Sequence, residues 1–291
     1  MRPRIVELLN RYFGYDVFQY IVPDPAVVYA VMLGSGILLF IRRCRRSGLS
    51  LEHATGMALW AALAALAGAR IFYLVQHLGF TLAHPSVLLE INGATVSFGV
   101  YMGGVLGAVL YARAKHVVAL PLYLDVLASV LGLGPMIGRW ACFLNGDDYG
   151  KISNVPWAVR FPHGSYPFLD HVRRGLISPM ADLSLPVHPV QLYLSLKGLV
   201  LFVVFSFLWR KRYFKPGALF LLFWICYAGA RFVLEYFRGD HDRGWIGAWS
   251  TGQVCSAVIA AASVVGILVG FRGRILRPVP PALSMDSAVS R

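Results

Sequence analysis

Apolar residues along the chain gather into seven runs, at about 26–41, 54–75, 96–111, 120–143, 188–208, 217–236 and 246–269. Each is long enough, or nearly so, for an α-helix to cross a hydrocarbon core of about 30 Å. The pattern predicts an all-α polytopic membrane protein of seven transmembrane helices. Between the fourth and fifth runs, residues 145–187 are polar and carry Pro156, Pro162, Pro167, Pro179 and Pro186. They hold no spanning run and predict a small outer head segment. Residues 1–25 scatter Val6, Leu8, Leu9, Tyr12 and Phe13 among charges, which suits a short interfacial helix and offers no signal-peptide core. Residues 272–291, with Pro278, Pro280 and Pro281, read as a disordered tail. The expected organisation is an N-terminal segment 1–25, a bundle 26–271 that includes the head 145–187, and a tail 272–291.

The breaks between runs alternate in charge. Arg42, Arg43, Arg45 and Arg46 close the first run, Arg113 and Lys115 the third, Arg210 to Lys215 the fifth, and Arg272, Arg274 and Arg277 the seventh. The 77–95 break contains no Lys or Arg. Basic loops stay on the cytoplasmic side, so the N-terminus is expected outside and the C-terminus in the cytoplasm. The head then stands on the outer face.

Composition changes this picture in one respect. The net charge of +13 would admit nucleic acid as a partner, but the basic residues occupy the short loops of a chain with only 14% charged residues. That distribution orients a bilayer protein, and no nucleic-acid binding is expected. Cys44, Cys142, Cys226 and Cys255 form no CxxC or His-spaced pattern, so no metal site and no disulfide framework is predicted.

Ionisable residues inside apolar runs carry the functional signal, since charge at membrane depth is costly and needs a partner. Tyr29, Arg70, Arg139, His188 with Gln191, and Arg231 with Glu235 all fall near the outer ends of their runs. Arg231 and Glu235 are four apart and share a helix face. Arg139 opens the stretch Gly138-Arg139-Trp140-Ala141-Cys142-Phe143-Leu144-Asn145-Gly146-Asp147-Asp148. A guanidinium fork suits a phosphate, so these residues predict a site for an anionic lipid headgroup at the outer boundary. Asp125 and Lys197 lie deeper and are expected to form a structural pair or hydrogen bonds. Small residues at Gly68-Ala69 and Gly103-Gly104 permit close helix packing or lipid entry. No Ser-His-Asp order, HExxH, P-loop or EF-hand spacing is present.

The ordered motifs resemble those of the prolipoprotein diacylglyceryl transferases. The Gly138 to Asp147 stretch is similar to that family's Gly-Arg-x-Gly-Asn-Phe-x-Asn-Gly-Glu signature. His188-Pro189-Val190-Gln191-Leu192-Tyr193 is similar to its His-Pro-x-Gln-Leu-Tyr element, and Arg231 to Arg238 to its Arg-Phe-x-x-Glu-x-x-Arg element. Weaker likenesses are Tyr29, Gly68-Ala69-Arg70 and Gly252-Gln253, so the resemblance runs from about Tyr29 to Gln253. It implies transfer of a diacylglyceryl group from phosphatidylglycerol to the lipobox cysteine thiol of preprolipoproteins, at the outer leaflet of the bacterial inner membrane. No cofactor is implied, and the partners are phosphatidylglycerol, the preprolipoprotein and membrane lipids. Carried over by position, the catalytic residues are Arg139, Arg231, Glu235 and Tyr29. The substrate-binding residues are Arg139, Asn145, Asp147, Arg70, Gly103, Gly104, His188 and Gln191.

The chain departs from the family pattern at several positions. Met102 stands before Gly103-Gly104 where the family usually has histidine, a candidate base for the thiol. Tyr101 or His188 are the nearest substitutes. Cys142 replaces the signature's first Asn, its Glu is Asp147 or Asp148, and Leu194 follows Tyr193 where the family often has Glu. The alternative reading is a phospholipid-binding paralogue that is inactive or uses another acceptor.

Overall fold

The computed structural model describes residues 24–86, 97–240, 244–272 and 274–276. The expected interfacial helix in 1–25 and nearly all of the 272–291 tail lie outside the described residues. The helices are α1 (Pro25–Arg46), α2 (Leu51–Gln76), α3 (Leu78–Ala83), α4 (Ser97–Ala114), α5 (Leu120–Leu131), α6 (Leu133–Asn145), α7 (Tyr166–Arg173), α8 (Val190–Lys211), α9 (Ala218–Leu234) and α10 (Thr251–Phe271). A two-stranded antiparallel ribbon, β1 (Trp245–Ile246) and β2 (Trp249–Ser250), precedes α10 with Trp245 opposite Ser250.

Among the described residues, six stretches are long and apolar enough to cross a membrane: Pro25–Arg46, Leu51–Val75, Leu120–Asn145, Val190–Lys211, Ala218–Phe237 and Thr251–Phe271. The chain is mostly helical, as a polytopic membrane protein requires. Helix α1 runs several residues past its apolar run, through Arg42 to Arg46. Arg42, Arg45 and Arg46 can cover apolar surface with their stems while the heads reach water, whereas the buried Arg43 donates to the Ser129 carbonyl (2.9 Å) and Ser206 Oγ (3.0 Å). The fourth run, expected as one continuous helix, breaks between α5 and α6 at Gly132. Pro135 lacks the N–H that would bond back to Leu131, which favours the break there.

Two apolar clusters build the bundle. One joins α1, α2, α4 and α5 through Phe40, Met57, Ala108, Tyr123 and Val126. The other joins α8, α9 and α5 through Phe205, Phe220, Phe223, Trp224 and Tyr227. Helices α2 and α4 touch backbone to backbone, Gly68 against Gly99 and Gly103 against Ala64, where any side chain would collide. Asp125 serves the second cluster: its carboxylate accepts the N–H groups of Gly217 (2.8 Å) and Phe220 (3.0 Å) at the start of α9. It therefore caps a helix, so of the two expectations for Asp125, a structural pair or hydrogen bonds, the structure shows the hydrogen bonds. The reason is local, since the first N–H groups of α9 have no partner within their own helix.

Residues 146–187 form a small subdomain on Tyr149, Phe161 and Val187, packed by Phe143 and Val159. Bridges from Gly150 to Arg238 and from Ile152 and Val159 to Val187 tie it to the ends of α6, α8 and α9. Its helix α7 buries Phe168 and His171. Burial holds the His171 imidazole below its ordinary pKa, and its Nδ1 accepts the Leu185 N–H at 3.2 Å, which requires the neutral ring. A lowered histidine pKa gives stability that is present above about pH 6.5, the unfolded value, and fades as pH falls below it. The loss is bounded by about 1.4 kcal/mol per pH unit. Hydrogen–deuterium exchange between pH 7.5 and 5.5, corrected for intrinsic rate, is therefore expected to show α7 and Leu185 losing protection ahead of the bundle helices. Equal loss everywhere would contradict the role given to His171.

Candidate active site

Helix α6 carries Arg139 next to Gly138, over which Tyr29 and Met32 of α1 lie. Gly146, at φ +86°, ends α6 in the left-handed region that glycine adopts freely. Asp148 also takes a positive φ, 52°, which aspartate tolerates better than most residues. The turn returns the Asp148 carboxylate to α6. There Arg139 bonds one oxygen, while Arg238 bonds the other.

A second pair lies alongside. Arg231 and Glu235 share a face at the end of α9, with Nη1 and Oε2 2.5 Å apart and side chains only 7% and 2% exposed. Glu235 also accepts from Ser250 Oγ at 3.1 Å and lies 4.0 Å from Arg238 Nε. Ser250 is the N-cap of α10 and forms a capping box with Gln253. A Cβ on Gly252 would stand 3.0 Å from the Glu235 carboxylate, so the first turn of α10 needs a residue without one. Arg238 is held in addition by Asp240, with Nε donating to Oδ1 at 2.9 Å. One ionic web thus spans the ends of α6 and α9 and the head.

Its electrostatics outside the spanning helices follow from that geometry. Burial alone would raise the Asp148 carboxyl, yet Arg238 and Arg139 hold it well below the usual carboxylate range. Burial would lower Arg238, and Asp148 with Asp240 keeps it above its ordinary value. Asp147 is held above the usual range by burial and then by its neighbour Asp148. Its Oδ2 accepts from Asn145 Nδ2 at 2.9 Å. Cys142, Asp147 and Asp148 offer donor atoms within 4.8 Å of one another. Both oxygens of Asp148 are already engaged by guanidinium groups, however, so the cluster is first an ion-pair site.

The sequence-derived candidates separate into groups. Arg139, Arg231 and Glu235 belong to the web. Tyr29 reaches its edge, with Oη 3.7 Å from Cys142 Sγ, the same sulfur that Arg139 Nη1 approaches at 3.7 Å. Gln191, fully buried, donates from Nε2 to the Asp147 carbonyl at 2.6 Å and so shapes the turn that aims Asp148. His188 joins head to bundle. Its Nδ1 lies 3.1 Å from Tyr193 Oη, which also receives the Trp157 indole N–H, and its backbone pairs with Gly150 and Lys151. Arg70, on α2, lies 5.6 Å over the ring of Tyr73. Gly103 lies against Ala64 and Gly68 in the α2–α4 contact, whereas Gly104 lines an apolar cavity.

That cavity, of about 230 Å³, runs among α1, α2, α4, α5 and α6 from Phe40 and Tyr123 to Met32, Tyr101 and Gly134. Gly134 lies little more than one helical turn before Arg139. Tyr101 packs edge-on to Tyr227, 5.6 Å away, one turn before Arg231 on α9. Met102 is not in its lining and is 56% exposed on the opposite face of α4.

Asp240 and Ser250 were not among the named candidates, Arg238 stood only as the end of a motif, and Asp148 stood only as an alternative to Asp147. The spacing of Arg231, Glu235 and Arg238 at i, i+4 and i+7 was the available signal for Arg238. Nothing in spacing chooses Asp148 over Asp147, because only the turn geometry decides which carboxylate faces back. Replacement of Asp148 by Asn is expected to lower stability in detergent by about 3 kcal/mol, the lower end for a broken buried pair because its side chain keeps 25% exposure. Asp147→Asn is expected to fall within about 1 kcal/mol of wild type. The depressed Asp148 pKa keeps the web intact at neutral and mildly acid pH, with loss only as pH falls below about 4. Thermal melts of both variants check the contrast, and equal losses would reverse it.

Comparison with known proteins places this architecture. The family model described as prolipoprotein diacylglyceryl transferase matches residues 17–269. A phosphatidylglycerol–prolipoprotein diacylglyceryl transferase of Clostridium tetani is 27% identical over 270 residues, covering 92% of this chain and 96% of that protein. Proteins of the same name from Rhizobium meliloti and Pseudomonas aeruginosa are 36% and 30% identical, over 72% and 87% of this chain and 71% and 90% of their own lengths. The chain belongs to the prolipoprotein diacylglyceryl transferase family.

Proposed function

We propose that this member of the family transfers the diacylglyceryl group of phosphatidylglycerol to the lipobox cysteine thiol of preprolipoproteins. The observation that carries the reading is an apolar cavity beside the arginine web, since its lining residue Met32 packs over Gly138 next to Arg139 and its lining residue Tyr101 packs on Tyr227, one turn before Arg231. An acyl chain needs an apolar slot of this kind, and a phosphodiester needs forked donors at its mouth. The polypeptide crosses the bacterial inner membrane seven times, with the 18-residue α4 as the shortest span. The N-terminus and the head, residues 145–187, stand outside, and the tail from 272 lies in the cytoplasm.

The reaction forms a C–S bond and breaks a C–O bond. The cysteine sulfur attacks the diacylglyceryl carbon that bears the phosphate ester, glycerol phosphate departs with the bonding pair, and the thiol proton passes to the solvent or to the departing phosphate. A phosphodiester carries one negative charge and its monoester product up to two, so negative charge grows on the phosphate oxygens. Arg139 and Arg231 hold that phosphate and stabilise the growing charge. Glu235 positions Arg231, while Tyr29, Asn145 and Asp147 border the headgroup. Gly104 borders the acyl slot, and Gly103 supports it through the α2–α4 contact. Gln191 and His188 position the turn and the head, and Arg70 meets lipid from α2. A thiol of pKa about 8.5 is a few per cent thiolate at neutral pH, so transfer does not require a base at Met102.

Two measurements test the reading. Purified protein in detergent, with phosphatidylglycerol and a lipobox peptide, should release glycerol phosphate while the peptide gains a diacylglyceryl mass. Arg139→Ala and Arg231→Ala should each lower the rate at least about 100-fold with the bundle still inserted. Rates near wild type in both variants would overturn the assignment. The outward direction of Met102 makes a second expectation: Met102→His should leave transfer within about twofold of wild type. A large gain would mean that position 102 reaches the thiol after all.

A further inference from the structure

The web leaves one buried amine with no carboxylate partner among the described residues. Lys197, on α8, is 8% exposed, and its Nζ has no hydrogen-bond acceptor among the described residues. It lies 3.7 Å over the ring of Tyr227, a cation–π contact, and its charged neighbours are Arg231 and Arg139. Every arginine of the site is paired: Arg139 with Asp148, Arg231 with Glu235, and Arg238 with Asp148 and Asp240. Asp147 turns its Oδ2 to Asn145, and its Oδ1 is buried without a hydrogen-bond partner among the described residues. Lys197 is therefore a basic group of the buried cluster without a carboxylate, one aromatic ring behind the cavity end marked by Tyr101, and a phosphate anion bound there would favour its ammonium form.

A phosphodiester headgroup without an amine carries one negative charge, while a zwitterionic lipid adds a positive one. The paired arginines offer donor geometry with little net charge, so they distinguish these lipids weakly. A buried amine that takes its proton only beside an anion distinguishes them more strongly, because a headgroup cation opposes that protonation. Resting on the transfer reading above, we propose that Lys197 determines specificity for the anionic phosphodiester lipid. Its ammonium offsets the phosphate charge from behind Tyr227 and disfavours headgroups that bring their own cation.

The test measures transfer kinetics and lipid binding for wild type, Lys197→Met and Lys197→Arg, with melting temperature recorded for each. Phosphatidylethanolamine serves as the zwitterionic competitor, and native mass spectrometry reads retained lipid independently of turnover. Lys197→Met is expected to raise KM for phosphatidylglycerol about tenfold, with a smaller change in kcat, and to abolish the preference over phosphatidylethanolamine. Lys197→Arg should keep most of both. An unchanged preference in Lys197→Met would overturn the proposal. So would a variant that loses melting temperature and kcat together while its lipid preference stays intact, because that is the behaviour of a packing residue. A wild-type protein that releases no glycerol phosphate would instead refute the transfer reading, and the retained-lipid measurement would still decide the role of Lys197.

Discussion

The arrangement depends on the sharing of Asp148 between Arg139 and Arg238. Those residues come from a spanning helix, the turn after it, and the segment after α9. Removing three guanidinium groups from water is unfavourable by several kcal/mol each unless every charge has a partner. The carboxylates of Asp148, Glu235 and Asp240 provide partners and join α6, α9 and the head at one point. Ser250 then brings α10 into the same web, because its hydroxyl caps that helix and donates to Glu235. Helix packing and charge placement are one problem here, solved at one depth in the bundle.

That solution explains the unusual features around it. Gly132 separates α5 from α6, and Ser195 of α8 donates to the Met136 carbonyl at 2.6 Å, which ties α8 to the start of α6. The close backbone contact of α2 with α4 draws those helices together beside the cavity formed with α1, α5 and α6. Gln191 holds the Asp147 carbonyl and so fixes the positive-φ turn on which the whole ionic pairing rests.

Much of this was readable from residue order. The apolar runs and their basic ends mark the helices, and the four-residue spacing of Arg231 and Glu235 states their pairing directly. Arg139 inside an apolar run announces a partner without naming it. What stayed hidden depends on three-dimensional direction. Periodicity places Tyr101 and Met102 next to each other, but only packing sends one into the core and the other outward. Asp125 looked like a mate for Lys197 because both are charged at similar depth. The N–H groups at the start of α9 are nearer claimants for its carboxylate, and the lysine settles on an aromatic face instead. Arg70, read as a member of the same outer layer, sits over Tyr73 on α2.

The paired state of the arginines also bears on turnover. Unpaired guanidinium groups in a low-dielectric site would bind a phosphodiester tightly in the ground state, and uniform tight binding does not speed the chemical step. Arginines already held by carboxylates gain little from a singly charged headgroup. In the proposed reaction the phosphate approaches a second negative charge as the C–O bond breaks, and it would then compete better with Asp148 and Glu235 for the same donors. The exchange then favours the transition state over the bound lipid, which is the differential binding catalysis requires. Once glycerol phosphate departs, the carboxylates reclaim their arginines. A web that first serves to make buried charge tolerable thus also limits how tightly the site can retain its product.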